Sequence, residues 1–90
     1  MAKTKHITLV AATVATVNLA VNASRVEVVN RSGSAEVYFT VNGATPTVGG
    51  DDTHVLPAAI GSVEVPDEIG GDVVVKLISS GTPTVSVRAL

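Results

Sequence analysis

The alternation of valine with polar residues is the feature that most constrains the fold of this chain. Apolar residues occupy every second position in five stretches, at residues 17–21, 26–28, 37–41, 63–65 and 85–87. Side chains of a β-strand point alternately to its two faces, so a period of two places the valines on one buried face. The chain has 18 valines and 10 threonines, whose branching at Cβ also favours strands. No window of helical length keeps an apolar stripe at the period of an α-helix.

Glycine, proline and asparagine separate these stretches and set the expected strand ends. Asn42-Gly43 is a strong turn signal, and prolines and glycines mark the later loops. Strands are predicted roughly at residues 6–10, 14–21, 25–30, 35–41, 53–56, 62–65, 72–78 and 84–88. Seven to eight short strands in 90 residues predict an all-β fold, a compact antiparallel β-sandwich or jelly roll. We expect residues 1–90 to form one domain, with residues 1–6 as a candidate N-terminal arm.

The charge and cysteine content exclude several classes of protein. Six basic and eight acidic side chains give a net charge of −2, without a block of like sign. Nucleic-acid binding needs clustered lysine and arginine, so no nucleic-acid partner is expected. Cysteine is absent, which excludes disulfides and thiolate metal sites. Additional stability would therefore have to come from assembly with other subunits.

The N-terminal stretch from Ile7 to Val21 superficially resembles the apolar part of a signal peptide. Three threonines and Asn18 interrupt it, and it contains no leucine run. It is also too short and too polar to span a bilayer. We therefore expect neither a signal peptide nor a membrane segment here.

No group of residues carries the signature of catalysis. His6 and His54 are far apart, have no motif partner, and are expected on the solvent sides of their strands. There is no Gly-x-Ser-x-Gly elbow and no phosphate-binding glycine loop. We predict that the protein is not an enzyme, and that it has no catalytic residues and no cofactor.

Acidic residues in glycine-rich loops are the remaining candidates for metal binding. Asp51-Asp52 forms one group, and Asp67-Glu68 with Asp72 forms another. Loop carboxylates can supply oxygens to Ca²⁺, but the EF-hand pattern is missing and adjacent carboxylates of an extended loop point apart. We expect these residues to be solvated loop charges and predict no metal site.

The segment from Val73 to Ile78 departs from the alternation, since it is apolar on both faces except at Lys76. A buried central strand would explain this pattern most simply. A strand with one face in the core and the other against a neighbouring subunit would also explain it. Both explanations are open at the level of sequence.

From Arg25 onward the chain resembles a known group of proteins. The residues that carry the resemblance are RVEVVNRSG at 25–33, AEVYFTVNG at 35–43, TPT at 45–47, VLPA at 55–58 and VVKLIS at 74–79. They are similar to small virion structural proteins of tailed bacteriophages, particularly those of actinobacterial hosts. The resemblance covers about the last two thirds of the chain and rests on strand and turn patterns. It implies a non-catalytic capsid decoration (cement) protein that binds the shell of the major capsid protein.

This resemblance also implies partners and a location. The expected partners are the major capsid protein and copies of the chain itself, in a homo-oligomer that could be a trimer. The protein would be made in the host cytoplasm and reside on the capsid exterior of the virion. Edge strands of a sandwich could pair with a neighbour by β-augmentation. The candidate subunit or capsid contacts are Ile7, Leu9, Tyr38, Val74, Lys76 and Ile78.

Two alternative functions remain. A head–tail connector or tail component would also be a β-domain, present as one ring per virion. A host-surface or carbohydrate-binding β-module is the second alternative. Sugar-binding faces usually present several aromatic rings, and only Tyr38 could serve here, since Phe39 points to the opposite face of the same strand.

Overall fold

The computed structural model describes residues 3–50, 53–67 and 71–90. They form eight β-strands, and no helix occurs among them. The strands are β1 (Lys3–Thr8), β2 (Ala15–Asn22), β3 (Arg25–Asn30), β4 (Val37–Val41), β5 (His54–Leu56), β6 (Gly61–Pro66), β7 (Asp72–Ser79) and β8 (Thr84–Ala89).

The eight strands form two four-stranded antiparallel sheets. Sheet A has the order β1-β8-β3-β6, and sheet B has the order β2-β7-β4-β5. Each strand of the first half therefore pairs with its counterpart counted from the other end of the chain: β1 with β8, β2 with β7, β3 with β6 and β4 with β5. Folding such a long two-stranded ribbon over itself gives a jelly roll. The predicted all-β antiparallel fold is confirmed, and the pairing order is that of a jelly roll.

The largest difference from the predicted strands is at the N-terminus. The first strand was expected at 6–10, whereas β1 spans Lys3–Thr8 and pairs with β8 along its whole length. Residues 3–6 of the candidate arm therefore belong to an edge strand, and residues 1 and 2 lie outside the described residues. The other strands begin and end within about two residues of the predicted positions.

The core between the sheets consists mainly of valine and leucine. Val26 and Val28 are fully buried, whereas Glu27 between them is half-buried, as the alternation predicts. Phe39 is the largest buried side chain and is 0% exposed. The remaining buried aliphatic residues that form this cluster are Leu9, Val17, Leu19, Val37, Leu56, Val65, Val73, Val75, Leu77, Val85, Val87 and Ala89.

The segment from Val73 to Ile78 lies in β7, a central strand of sheet B between β2 and β4. Val73, Val75 and Leu77 point into the core and are 0% exposed. Val74, Lys76 and Ile78 alternate with them and belong to the opposite, outer face of the sheet. The central position accounts for the buried inner residues and for Ile78, whereas Val74 on the outer face remains partly exposed.

Asn30, the last residue of β3, joins two loops, 31–36 and 57–60, at one end of the sandwich. It is 0% exposed. Its Nδ2 donates to the carbonyl oxygens of Ala35 and Pro57, each at 3.0 Å. Its Oδ1 accepts a hydrogen bond from the Gly33 N–H at 3.1 Å. Gly33 has φ of +65°, and a Cβ there would lie 2.9 Å from the Ile60 backbone nitrogen, so this close approach requires glycine.

Candidate contact surface

The outer face of sheet B, here called the B face, brings together four apolar residues that point away from the core: Tyr38, Val55, Val74 and Ile78. Strand register places Tyr38 opposite both Ile78 and Val55, which gives one row across three strands. Lys76 lies in the next row, opposite Thr40 of β4 and Thr16 of β2. Val74 follows in a third row, opposite Asn18. The B face is therefore a mixed surface with Lys76 near its centre: Tyr38, Val55, Val74 and Ile78 are apolar, and Thr16, Asn18, Thr40 and Asp72 are polar.

Exposure differs strongly among the residues of the B face. Val55, on the short edge strand β5, is 50% exposed. Tyr38, Val74 and Lys76 are partly exposed. Ile78 is only 7% exposed, so it supports its neighbours and offers little surface to a partner. The accessible part of the face is thus an apolar patch around Tyr38, Val55 and Val74.

The charges of the B face are not neutralised within it. Lys76 makes no hydrogen bond or ion pair with any described residue. Two acids of the described chain lie on this side: Asp72, on the same face of β7, and Glu36, whose Oε1 accepts a hydrogen bond from the Tyr38 hydroxyl at 3.2 Å. Lys76 therefore presents an uncompensated positive charge within this mixed surface.

Glu36 and partial burial act together on Tyr38. Desolvation raises the pKa of the Tyr38 phenol above its usual value of about 10, and the negative charge of Glu36 and the hydrogen bond to it raise that pKa further. Both effects disfavour the phenolate. The neutral hydroxyl is therefore the form that contacts Glu36.

The titration of Tyr38 can be followed directly, because the chain has one tyrosine and no tryptophan. We expect ultraviolet absorbance of the phenolate to give a pKa above that of free tyrosine. Glu36→Gln should lower this pKa without returning it fully to the usual value, since desolvation remains. Glu64→Gln, a matched change on sheet A, should leave it unchanged. A pKa that is the same with and without the Glu36 charge would contradict the contact.

The outer face of sheet A is chemically different. Arg25 pairs with Glu64 at 3.5 Å, and Arg88 pairs with Glu27 at 3.3 Å. His6 lies in β1 and its Nδ1 is 2.6 Å from the Ser86 hydroxyl. The charges of this face are compensated by each other, so a partner gains less from covering it.

The structure brings four of the six candidate contact residues together and separates the other two. Tyr38, Val74, Lys76 and Ile78 share the B face. Leu9 is 1% exposed and lies in the core, so it has no surface to offer a partner. Ile7 is partly buried and packs against the core from the edge strand β1. Val55 and Glu36, which the sequence did not single out, complete the surface.

The four edge strands carry features that hinder pairing with another sheet. In β1, Lys5 is two residues from Ile7, which packs against the core. The Lys5 side chain therefore leaves the strand on its inward face. In β2, the register shifts around Ala20, whose φ is +56°. Strand β5 has three residues, and β6 ends at Pro66. Inward charges, bulges, short strands and proline all blunt sheet edges, so contact through a face is favoured over β-augmentation.

Four loops, 9–14, 31–36, 57–60 and 80–83, lie at one end of the sandwich and carry two exposed apolar side chains. The Ala12 N–H donates to the Ser79 carbonyl at 2.8 Å, and Asn30 links two of the loops as described above. Val10 is 62% exposed and Ile60 is 76% exposed. These two residues are on separate loops, one at the β1–β2 connection and one before β6, and nothing in the structure joins them into one patch.

The candidate chemical groups of the sequence occupy ordinary positions. His54 is exposed, as predicted, but its register with Phe39 places it on the inner face of β5, with the ring centroids 5.2 Å apart. It is exposed because β5 is an edge strand. Asp51, Asp52 and Glu68 lie outside the described residues. Asp67 accepts a hydrogen bond from Asn42 at 2.9 Å.

Across residues 3–50, 53–67 and 71–90 the surface has no cleft or enclosed cavity. The same residues contain no group of three or more metal-ligating side chains. Nor do they include a helix of the length and apolarity needed to cross a membrane. No protein-family model, curated protein or solved structure matches the chain.

Proposed function

We propose that the protein is a non-catalytic structural component of a virion, a capsid decoration protein that binds the major capsid protein shell. The observation that carries this proposal is the B face, where Lys76 has no ion-pair partner among the described residues and lies between the row of Tyr38, Ile78 and Val55 and the row of Val74. Covering this face removes apolar surface from water and lets a partner carboxylate neutralise the lysine.

Two further points support a role in a shell. The jelly roll occurs in viral capsid and lectin domains, although a fold alone does not determine function. The strand and turn patterns from Arg25 onward resemble small virion proteins of tailed bacteriophages. A head–tail connector or tail component shares these two points, and the copy number distinguishes it from a decoration protein.

The copy number per particle is a direct test. Quantitative mass spectrometry of purified particles should find the chain in numbers comparable to the capsomers if it decorates the shell. A copy number equal to a single ring per particle would indicate a connector or tail component instead. Its absence from purified particles would refute a virion role.

Replacing Val74 by aspartate should weaken attachment to the capsid. The change puts a carboxylate into the apolar patch, and we expect at least a tenfold loss of affinity, or about 1.4 kcal/mol. The measurement is equilibrium binding of the purified protein to particles that lack it, with thermal unfolding recorded in parallel.

Val29→Asp is the matched control, because Val29 is a partly buried valine on the outer face of the other sheet. Its effect on folding should be similar, and its effect on binding should be small. Val55→Asp, at an exposed edge position of the B face, provides a second variant with less risk to the fold. Unchanged binding of both B-face variants, with the fold retained, would contradict the assignment of this surface.

A further inference from the structure

We propose that the B face joins two copies of the chain by two-fold symmetry, with each Lys76 paired to the partner subunit's Glu36. This inference rests on the proposed role of the B face in assembly, and it takes a neighbouring copy of the chain, rather than the capsid protein itself, as the occupant of this face. The argument depends on where the two charges lie relative to the row of Tyr38, Ile78 and Val55.

Lys76 and Glu36 lie on opposite sides of this row, each about two residues away from it along the strands. Glu36 precedes Tyr38 by two residues, and its carboxylate accepts the Tyr38 hydroxyl hydrogen bond. Thr40 follows Tyr38 by two residues and lies opposite Lys76. Two residues of a strand span roughly 7 Å, so Lys76 and Glu36 of one copy are separated by about 14 Å along the strands. They cannot pair within one chain.

A two-fold axis lying between two stacked B faces, parallel to the row, would bring the charges together. Such an axis reverses the strand direction but keeps each strand over its own counterpart. It carries Lys76 of one copy to the level of the partner subunit's Glu36, one strand away, which is a lateral offset of about 4.8 Å. The length of a lysine side chain covers this offset. One operation therefore creates two identical ion pairs.

The same axis brings the apolar residues of the row onto their counterparts. Tyr38 meets the partner subunit's Tyr38, and Val55 meets the partner subunit's Val55. Aromatic pairs and aliphatic contacts of this kind stabilise stacked sheets, which pack about 10 Å apart. Symmetry thus joins like apolar groups at the centre and opposite charges on both sides, which is the self-complementarity that a two-fold contact requires.

Sheet A offers no comparable arrangement. Its arginines already pair with glutamates of the same chain, so two copies of that face would gain no new ion pair. On sheet B, in contrast, Lys76 has no ion-pair partner among the described residues. Covering an unpaired charge with an apolar surface is strongly unfavourable. An occupant of the B face must therefore supply an acid, and Glu36 is placed to do so.

The size of the surface sets the expected affinity. Four strands about 4.8 Å apart and five residues long cover roughly 300 Å², well below the area of about 800 Å² per partner in standard interfaces. The dimer of the isolated protein should be weak, with a dissociation constant of roughly micromolar to millimolar size. In a shell, many simultaneous contacts would reinforce it.

Charge reversal tests the pairing. Sedimentation equilibrium of the full chain at low salt should show a concentration-dependent dimer. Lys76→Glu and Glu36→Lys should each raise the dissociation constant at least tenfold, since each places like charges together. The double variant Lys76→Glu/Glu36→Lys should restore dimerisation to within about threefold of the original chain, because the pairs form again with opposite sense. Lys5→Glu is the control for net charge and should leave the dimer unchanged.

The outcomes separate this inference from the proposed capsid role. A chain that remains monomeric at millimolar concentration, or a double variant that fails to recover, would overturn the paired dimer. The copy number per particle is measured without any B-face variant and would still decide the decoration role. Conversely, a dimer rescued by charge reversal, together with particles that lack the protein, would keep the dimer and refute the virion function.

Discussion

Phe39→Ala is expected to lower the free energy of unfolding by about 3–5 kcal/mol, the usual cost of removing a fully buried aromatic side chain. Phe39 is the only aromatic residue in the core of the described chain and is surrounded by valines and leucines from both sheets. These short side chains cannot extend to fill the space. Because domains of this size are stable by about 5–15 kcal/mol, the variant should lose a large share of its stability.

Chemical denaturation with linear extrapolation measures this effect, and the thermal midpoint should fall by roughly 15 °C or more. Phe39→Leu should cost less than half as much, because leucine refills most of the cavity. Val48→Ala, at a position 45% exposed in a loop, should change stability by less than about 0.5 kcal/mol. Equal stabilities of Phe39→Ala and Val48→Ala would show that Phe39 does not organise the core.

Asn30→Ala should destabilise the protein by about 3 kcal/mol, which is more than most polar-to-alanine changes. The substitution removes the two donors that hold the Ala35 and Pro57 carbonyls and the acceptor of the Gly33 N–H. Each buried polar group left without a partner costs roughly 1–3 kcal/mol. Hydrogen exchange should also show faster opening of the 31–36 and 57–60 loops, since Asn30 joins them.

Asn30→Asp provides a stricter test of the same contacts. Aspartate keeps the acceptor for Gly33 but replaces both donors by a carboxylate that repels the two carbonyl oxygens. It should therefore be at least as destabilising as alanine, in spite of its nearly identical shape. Asn22→Ala, at an exposed position of β2, is the matched control and should be close to neutral. If Asn30→Asp were tolerated, the hydrogen bonds of Asn30 would not be structural.

The strands could be predicted from sequence because local rules determine them. Alternating valines place β3, β4, β6 and β8 within about two residues, since side-chain direction depends only on neighbouring residues. The pairing of strands depends on contacts between distant residues, so sequence alone left the sandwich and the jelly roll open. The same reason explains the error at His54, whose side of the sheet follows from its register with Phe39.

The candidate surface was predictable only in part. Tyr38, Val74, Lys76 and Ile78 were singled out because a tyrosine and a strand apolar on both faces depart from the usual pattern. Leu9 was predicted as a contact residue because it belongs to the apolar N-terminal stretch, yet the chain turns after β1 and buries it. Val55 and Glu36 were missed because their places beside Tyr38 depend on the register between β4 and β5 and on a side-chain hydrogen bond.

The pairing of strands from opposite ends of the chain has a consequence for how the protein folds during synthesis. Each sheet contains strands from both halves, and β8 lies in the interior of sheet A between β1 and β3. While a nascent chain is shorter than 84 residues, β8 has not been made, and β1 and β3 lack the strand that lies between them. Because distant segments must meet before they gain stability, topologies of this kind fold slowly and as a unit. Sheet A should therefore fold only after β8 has emerged from the ribosome.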